Sequence, residues 1–373
     1  MHNSRQNRTA VLIAVVLPLS ASTVFAQTES STQSDWNKAL ELGKTEGKVV
    51  VSIPASPELR TALEKNFKQR FGIEAEVVTA RGSASVRRIV DEAKAGVRYF
   101  DVHIGGSESI VGAMLPEAVL EPLANLFLLP EVKDPKQWWG GHIWTDNAKK
   151  FIYTSLAYTT ENFWYNGQLM KPEEIRSFDD FLNEKWKGRF GFLDPRTPGS
   201  GASLWSYLRE LKGDDYLKKL TAQKLVIGRD QRILAEDVAK GKLTLAMGLT
   251  YYSFASFVKA GLPVYPLPEP KEGVYISGGS GHLVVVKNAP HPNATKVFLN
   301  WLLSREGQDV FTRALGQGTR RLDVDTKWLP EVGVVAAKDI YRPEEYAKRE
   351  NNSEGKIIRV REPAAAVARK LLD

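Results

Sequence analysis

Cysteine is absent from the 373 residues of this chain. That excludes disulfides, thiolate-held zinc, iron–sulfur clusters and thiol nucleophiles, and it excludes a lipid-modified cysteine at a signal cleavage site. Histidine is scarce: beyond the first residues only His103, His142, His282 and His291 remain, none at a metal-motif spacing. His103 falls inside an apolar run and reads as core. No segment approaches the roughly 20 apolar residues of a membrane span. The net charge of +7 is mild and its signs are interspersed, so the basic stripe with interleaved aromatics that marks a nucleic-acid binder is missing. A serine nucleophile elbow is missing too, because in Gly278-Gly279-Ser280-Gly281-His282 the second glycine is displaced. The 44 carboxylates are scattered without a spacing that selects a glycosidase pair. These absences argue against an enzyme, a secreted hydrolase using Ser280 being the remote alternative.

The amino terminus carries a positive pattern. Arg5 and Arg8 precede an apolar run over 10–19, and Val24-Phe25-Ala26 supplies the small residues a signal peptidase reads. Residues 1–26 are expected to be a secretory signal cleaved after Ala26. Its loss takes the net charge from +7 to +5, because Arg5 and Arg8 leave with it. Residues 27–35 are polar and aperiodic and read as a flexible leader, with order beginning near Trp36. About 347 residues follow the signal, more than one hydrophobic core comfortably serves, so two domains are expected.

From residue 48 the pattern alternates. Strands are expected over 48–53, 74–79 and 100–104 and helices over 59–71 and 84–95, the signature of a layered α/β fold with a parallel sheet. A second block begins after residue 160, with 163–166, 190–193 and 243–248 as strands. The most informative unit is 283–308, LVVVKNAPHPNATKVFLNWLLSREGQ. Its apolar β-branched run is a buried strand, Pro290 and Pro292 break the chain, and Ala294, Val297, Phe298, Trp301 and Leu302 recur at helical spacing with Lys296 and Asn300 expected to face out.

That unit resembles the group 1 extracellular solute-binding proteins of ABC importers, in particular the branch of the ferric-ion-binding periplasmic proteins. Phe163-Trp164-Tyr165-Asn166, and the run from Phe178-Asp179-Asp180-Phe181-Leu182 to Lys185-Trp186-Lys187-Gly188-Arg189, are similar to further signatures of that family. The resemblance implies a two-lobed, type II periplasmic binding protein fold. The lobes would be joined by two crossing strands, with the ligand cleft between them. Lobe 1 would hold 36–162 plus 280–328 and lobe 2 would hold 163–279 plus 329–373, with the tail packing back on lobe 2 and 277–281 serving as hinge. It also implies a monomeric periplasmic receptor without a cofactor, whose partners are a small-molecule ligand and a membrane permease.

In open α/β sheets ligands sit beyond the carboxyl ends of the strands. The loops there nominate Ser56, Arg81, Gly82, Ser83, Gly106 and Ser107 from lobe 1, and Arg196, Thr197, Ser200, Gly201, Arg229, Tyr251 and Tyr252 from lobe 2. Small hydroxyls and backbone N–H groups at helix starts suit an anion, and arginine suits bidentate capture of phosphate or carboxylate. Arg320 and Arg321 are expected near the cleft as well. The expected ligand is therefore a small organic anion bearing phosphate, phosphonate or carboxylate. The alternative is ferric iron, because Tyr251-Tyr252 resembles the tyrosine pair of the iron-specific members and Tyr165 matches a further tyrosine. Phenolate oxygens are hard donors suited to that ion. The histidine and glutamate that some iron binders add are absent, Ala55, Ser56 and 105–107 standing there instead.

Overall fold

A computed structural model describes residues 21–80, 82–159 and 162–373. Most of the expected signal, 1–20, lies outside the described residues, as does Arg81. The first sheet runs in the order β2 (Glu74–Thr79), β1 (Lys48–Ile53), β3 (Val102–Gly105), β13 (His282–Val286) and β4 (Leu120–Glu121), with β5 (Tyr153–Thr154) also on β13. β1 is parallel to β2 and β3, whereas β13 runs antiparallel to β3, so the sheet is mixed rather than wholly parallel. The second sheet is β11 (Val264–Pro266), β7 (Phe163–Asn166), β10 (Leu245–Met247), β8 (Phe190–Leu193) and β9 (Val226–Gly228). Each sheet has its own apolar core. A small third sheet, β12 (Ile276–Ser277), β6 (Tyr158–Thr159) and β14 (Val335–Ala336), lies on the chain path between them.

Local chemistry sets these elements. β1 is Val-rich and buried from Val49 to Ile53, as a strand covered on both faces must be. Helix α2 (Pro57–Phe71) starts where Ser56 accepts from the Leu59 N–H and stops at left-handed Gly72, with Pro57 in the first turn. Helix α3 (Gly82–Lys94) follows β2 and the short α4 (Ser107–Ser109) follows β3. In the second lobe α5 (Ser200–Ala222), α6 (Gln231–Ala239) and α7 (Tyr251–Lys259) each follow a strand of the second sheet.

The 283–308 unit folds as strand, turn and two helices, α8 (Pro292–Leu303) and α9 (Arg305–Leu315), meeting at Ser304, which caps the second. Asn300 does not face out. It is fully buried, accepts from the Leu128 and Leu129 N–H groups and donates to the Leu126 carbonyl, so a polar side chain satisfies a loop folded over the helix. Residues 27–35 are not an unstructured leader either. They belong to α1 (Ala21–Glu46), which packs on α8. The Glu46 carboxylate accepts from the Asn293 and Ala294 N–H groups at the start of α8, a charge placed on a helix N-terminus.

The chain beyond residue 328 divides its packing. Leu329, Val334 and Ala336 enter the first core, Ile357 packs with Val50 and Val86 in that same lobe, and Ala364 and Ala368 of α10 (Glu362–Leu372) enter the second core. The tail is therefore not an appendage of the second lobe alone. It is a third segment running between the two.

Candidate functional site

A cleft of about 460 Å³ lies between the sheets. The carboxyl ends of β1, β2 and β3 bring Ala55, Ser83, Gly106 and Ser107 to one wall, and the ends of β8, β9 and β10 bring Asp194, Arg229 and Thr250 to the other. Tyr158, Ser277 and Ser280 come from the connecting region. Ser83 is the second residue of α3, Ser107 the first of α4, Ser200 the first of α5, Gln231 the first of α6 and Tyr252 the second of α7. Helix starts carry N–H groups without intrahelical partners and a partial positive charge. The cleft collects them from both lobes.

Of the nominated residues, Ser83, Gly106, Ser107, Thr197, Ser200, Arg229 and Tyr252 line the cleft. The buried Ser107 Oγ finds no hydrogen-bond partner among the described residues, whereas the Ser200 hydroxyl donates to the Gly248 carbonyl at 2.6 Å. Gly82 opens α3 next to Ser83. The others sit elsewhere. Ser56 is buried as the cap of α2. Gly201 is pressed against β8, where an added Cβ would lie 2.2 Å from the Leu193 carbonyl oxygen, so its role is close packing.

Arg196 is not among the cleft residues. Its Nε and Nη2 grip both Asp194 oxygens at 2.8 and 3.0 Å, and Nη1 reaches Asp373. Burial alone would raise the Asp194 carboxyl, but hydrogen bonds from Arg196 and Arg229 outweigh it and hold Asp194 below the usual carboxylate range. Arg320 and Arg321 are fully buried away from the cleft. Arg320 donates to the Thr154 and Gly141 carbonyls, and Arg321 pairs with Asp323 and Glu131.

The tyrosine pair splits. Tyr252 lines the cleft and accepts from Gln231 Nε2, whose own amide oxygen accepts from Thr250 and Ser253. The Tyr251 ring instead lies between Trp164 and Gly316. Tyr165 packs in the second core beside Tyr265. Burial raises the pKa of both Tyr251 and Tyr165, with Glu58 adding to the effect on Tyr251 and Glu173 on Tyr165. Neither is poised as a phenolate. Among the described residues no group of three or more His, Asp or Glu side chains gathers to hold a metal. The buried His282 ring is turned to backbone, its Nδ1 contacting the Gly105 carbonyl, and no contact between it and the Ser280 hydroxyl is found among the described residues.

Among the cleft residues that escaped the sequence reading, three bear on the charge of the site or come from an unexpected segment: Glu108, Asn352 and Arg361. Glu108 directly follows the nominated Ser107, so its position after a strand was a usable signal. Asn352 and Arg361 come from the tail, and nothing in their surroundings marks them. Arg361 ends a π-helical turn, Ile357–Arg361, and is buried against Glu108.

The chain matches the model of the bacterial extracellular solute-binding proteins over residues 54–309. An uncharacterized protein of Haemophilus influenzae is 21% identical over 272 residues, spanning 71% of this chain and 75% of the relative. Among solved structures, iron-bound HitA from Pseudomonas aeruginosa superposes with a TM-score of 0.64 at 18% identity, covering 87% of this chain and 99% of HitA. AfuA from Actinobacillus pleuropneumoniae with fructose-6-phosphate bound gives 0.63 at 19% identity, with the same shares covered. These two share the two-lobed α/β fold described above. The family match spans well over half of the chain, which therefore belongs to the bacterial extracellular solute-binding proteins.

Proposed function

We propose that the protein is a periplasmic receptor that captures a small organic anion, bearing phosphate, phosphonate or carboxylate, and hands it to the membrane permease of an ABC importer. One observation carries this reading: helix starts from both lobes, with Ser83, Ser107 and Ser200 on them, meet around one cleft. Such a cradle favours negative charge. A volume of about 460 Å³ suits a small organic molecule better than a naked ion. Closure of the lobes would follow from the ligand's greater affinity for the closed form. His282, the base nearest in sequence to Ser280, is turned to the Gly105 carbonyl, which supports a receptor rather than a hydrolase.

Ferric iron is the competing ligand, since HitA, of the same fold, binds iron. Against it stand the burial and raised pKa of Tyr251 and Tyr165. A thermal-shift panel of inorganic phosphate, fructose 6-phosphate, citrate and ferric iron separates the two. A ligand at one hundred times its Kd stabilises the folded state by about 2.7 kcal/mol, so an organic anion should raise the melting temperature by several degrees. Stabilisation by iron alone, with a tyrosinate-to-iron absorption band, would replace this reading.

A further inference from the structure

The tail reaches the cleft at a junction of three segments. Glu108 comes from the first lobe, Gly199 from the loop before α5 in the second, and Arg361 from the tail. Arg361 Nη2 donates to Glu108 Oε2 and, at 3.2 Å, to the Gly199 carbonyl, while the Gly199 N–H donates to the same Glu108 oxygen at 3.3 Å. The approach is anchored on both sides. Glu354 N–H donates to the Thr145 carbonyl and Asn351 Nδ2 to Ser203, before α10 enters the second core.

Arg361 differs from the other paired arginines of this region. Arg196 and Arg321 each grip one carboxylate with two nitrogens, Nε and Nη2, and neither lines the cleft. Arg229 does line it, but its side chain is 73% exposed and tied to Asp194. Arg361 lines the cleft with its side chain 3% exposed, meets Glu108 through Nη2 alone, and leaves Nε without a partner among the described residues. A guanidinium is built to satisfy two acceptors in a plane. This one is held by a single carboxylate oxygen and a carbonyl, beside the helix starts of both lobes.

We propose that the C-terminal tail completes the binding site, with Arg361 as the cation that recognises the ligand's phosphate or carboxylate and Glu108 as the counter-ion that competes with the ligand for it. The inference rests on the organic-anion reading given above. It assigns selectivity for charge to a segment outside the region matched by the family model, which ends at residue 309.

The two ends of the pair give opposite expectations. Isothermal titration uses whichever of inorganic phosphate, fructose 6-phosphate and citrate binds the unsubstituted protein most tightly. Arg361→Gln removes the recognising charge and should weaken binding by about 10- to 100-fold, the range of a charge-assisted hydrogen bond. Arg361→Lys keeps the charge without the fork and should fall between. Glu108→Gln removes the competitor and should tighten binding several-fold. If the pair were only a strut between the lobes, both changes would loosen the closed form and weaken binding together, and that outcome overturns the proposal. So does Arg361→Gln binding within twofold of the unsubstituted protein. Should Arg361→Gln fail to fold by circular dichroism, Glu108→Gln decides alone, unchanged or weaker binding counting against. Failure of all three anions on the unsubstituted protein overturns the organic-anion reading and this inference with it; normal binding with the wrong pattern of variants overturns this inference only.

Discussion

Two arginine–carboxylate groups stand at this cleft, and they differ in what surrounds them. On the second lobe Asp194 is gripped by Arg196 through two nitrogens and touched by Arg229. Its demand is met, and Arg229 remains mostly in solvent. On the first lobe Glu108 meets Arg361 where the two side chains are 12% and 3% exposed. Both carboxylates are buried, but the second cation on Asp194, Arg229, is 73% exposed, whereas the cation on Glu108 is sealed. An exposed pair is screened and worth little, whereas removing one partner of a sealed pair strands the other. Position relative to solvent, more than the presence of arginine, decides which cation matters.

Substitutions should follow that order. Arg361→Ala leaves Glu108 among buried neighbours and is expected to cost about 3 kcal/mol of stability, at the lower edge of what breaking a buried pair does. Urea denaturation measures it, and a loss below about 1 kcal/mol would mean that water reaches the pair freely. A different sealed feature should produce a comparable effect with acid. His103 and His282 are buried on neighbouring strands, and burial pushes both pKa values down to about 4. An unfolded histidine titrates near 6.5, so between about pH 6.5 and 4 the unfolded chain binds protons that the folded chain refuses. Stability is therefore complete above that window and falls through it, by at most about 1.4 kcal/mol per pH unit for each ring. Melting curves across this range should show the decline, and His103→Gln with His282→Gln should flatten it. Arg229→Ala is the smallest change, expected to alter stability by about 0–1 kcal/mol, and a larger loss would show that the exposed pair is more than a surface contact.

The alternation of strands and helices was legible because it reports period and burial. The rim of the cleft was legible as well, since carboxyl ends of parallel strands converge whatever the residues do; Ser83, Gly106, Ser107, Thr197, Ser200, Arg229 and Tyr252 follow from that geometry. What sequence could not separate was direction at a single position. Tyr251 and Tyr252 are adjacent on one helix and face different surroundings. Gly201 looks like a ligand cradle and is packed against Leu193, and Asn300 looks solvent-facing and ties down a loop. Tail residues were opaque for another reason. Arg361 reaches Glu108 across 253 positions of sequence, and no local pattern carries a contact of that separation.

Everything proposed for the cleft between the lobes depends on its ligand being an organic anion. Native mass spectrometry of the protein taken gently from the cells that make it is the decisive measurement. The expected result is a non-covalent adduct with the mass of a small phosphorylated, phosphonylated or carboxylated compound, which is lost when Arg361 is replaced by glutamine. An adduct with the mass of iron, retained in that variant and abolished by Tyr252→Phe, would contradict it.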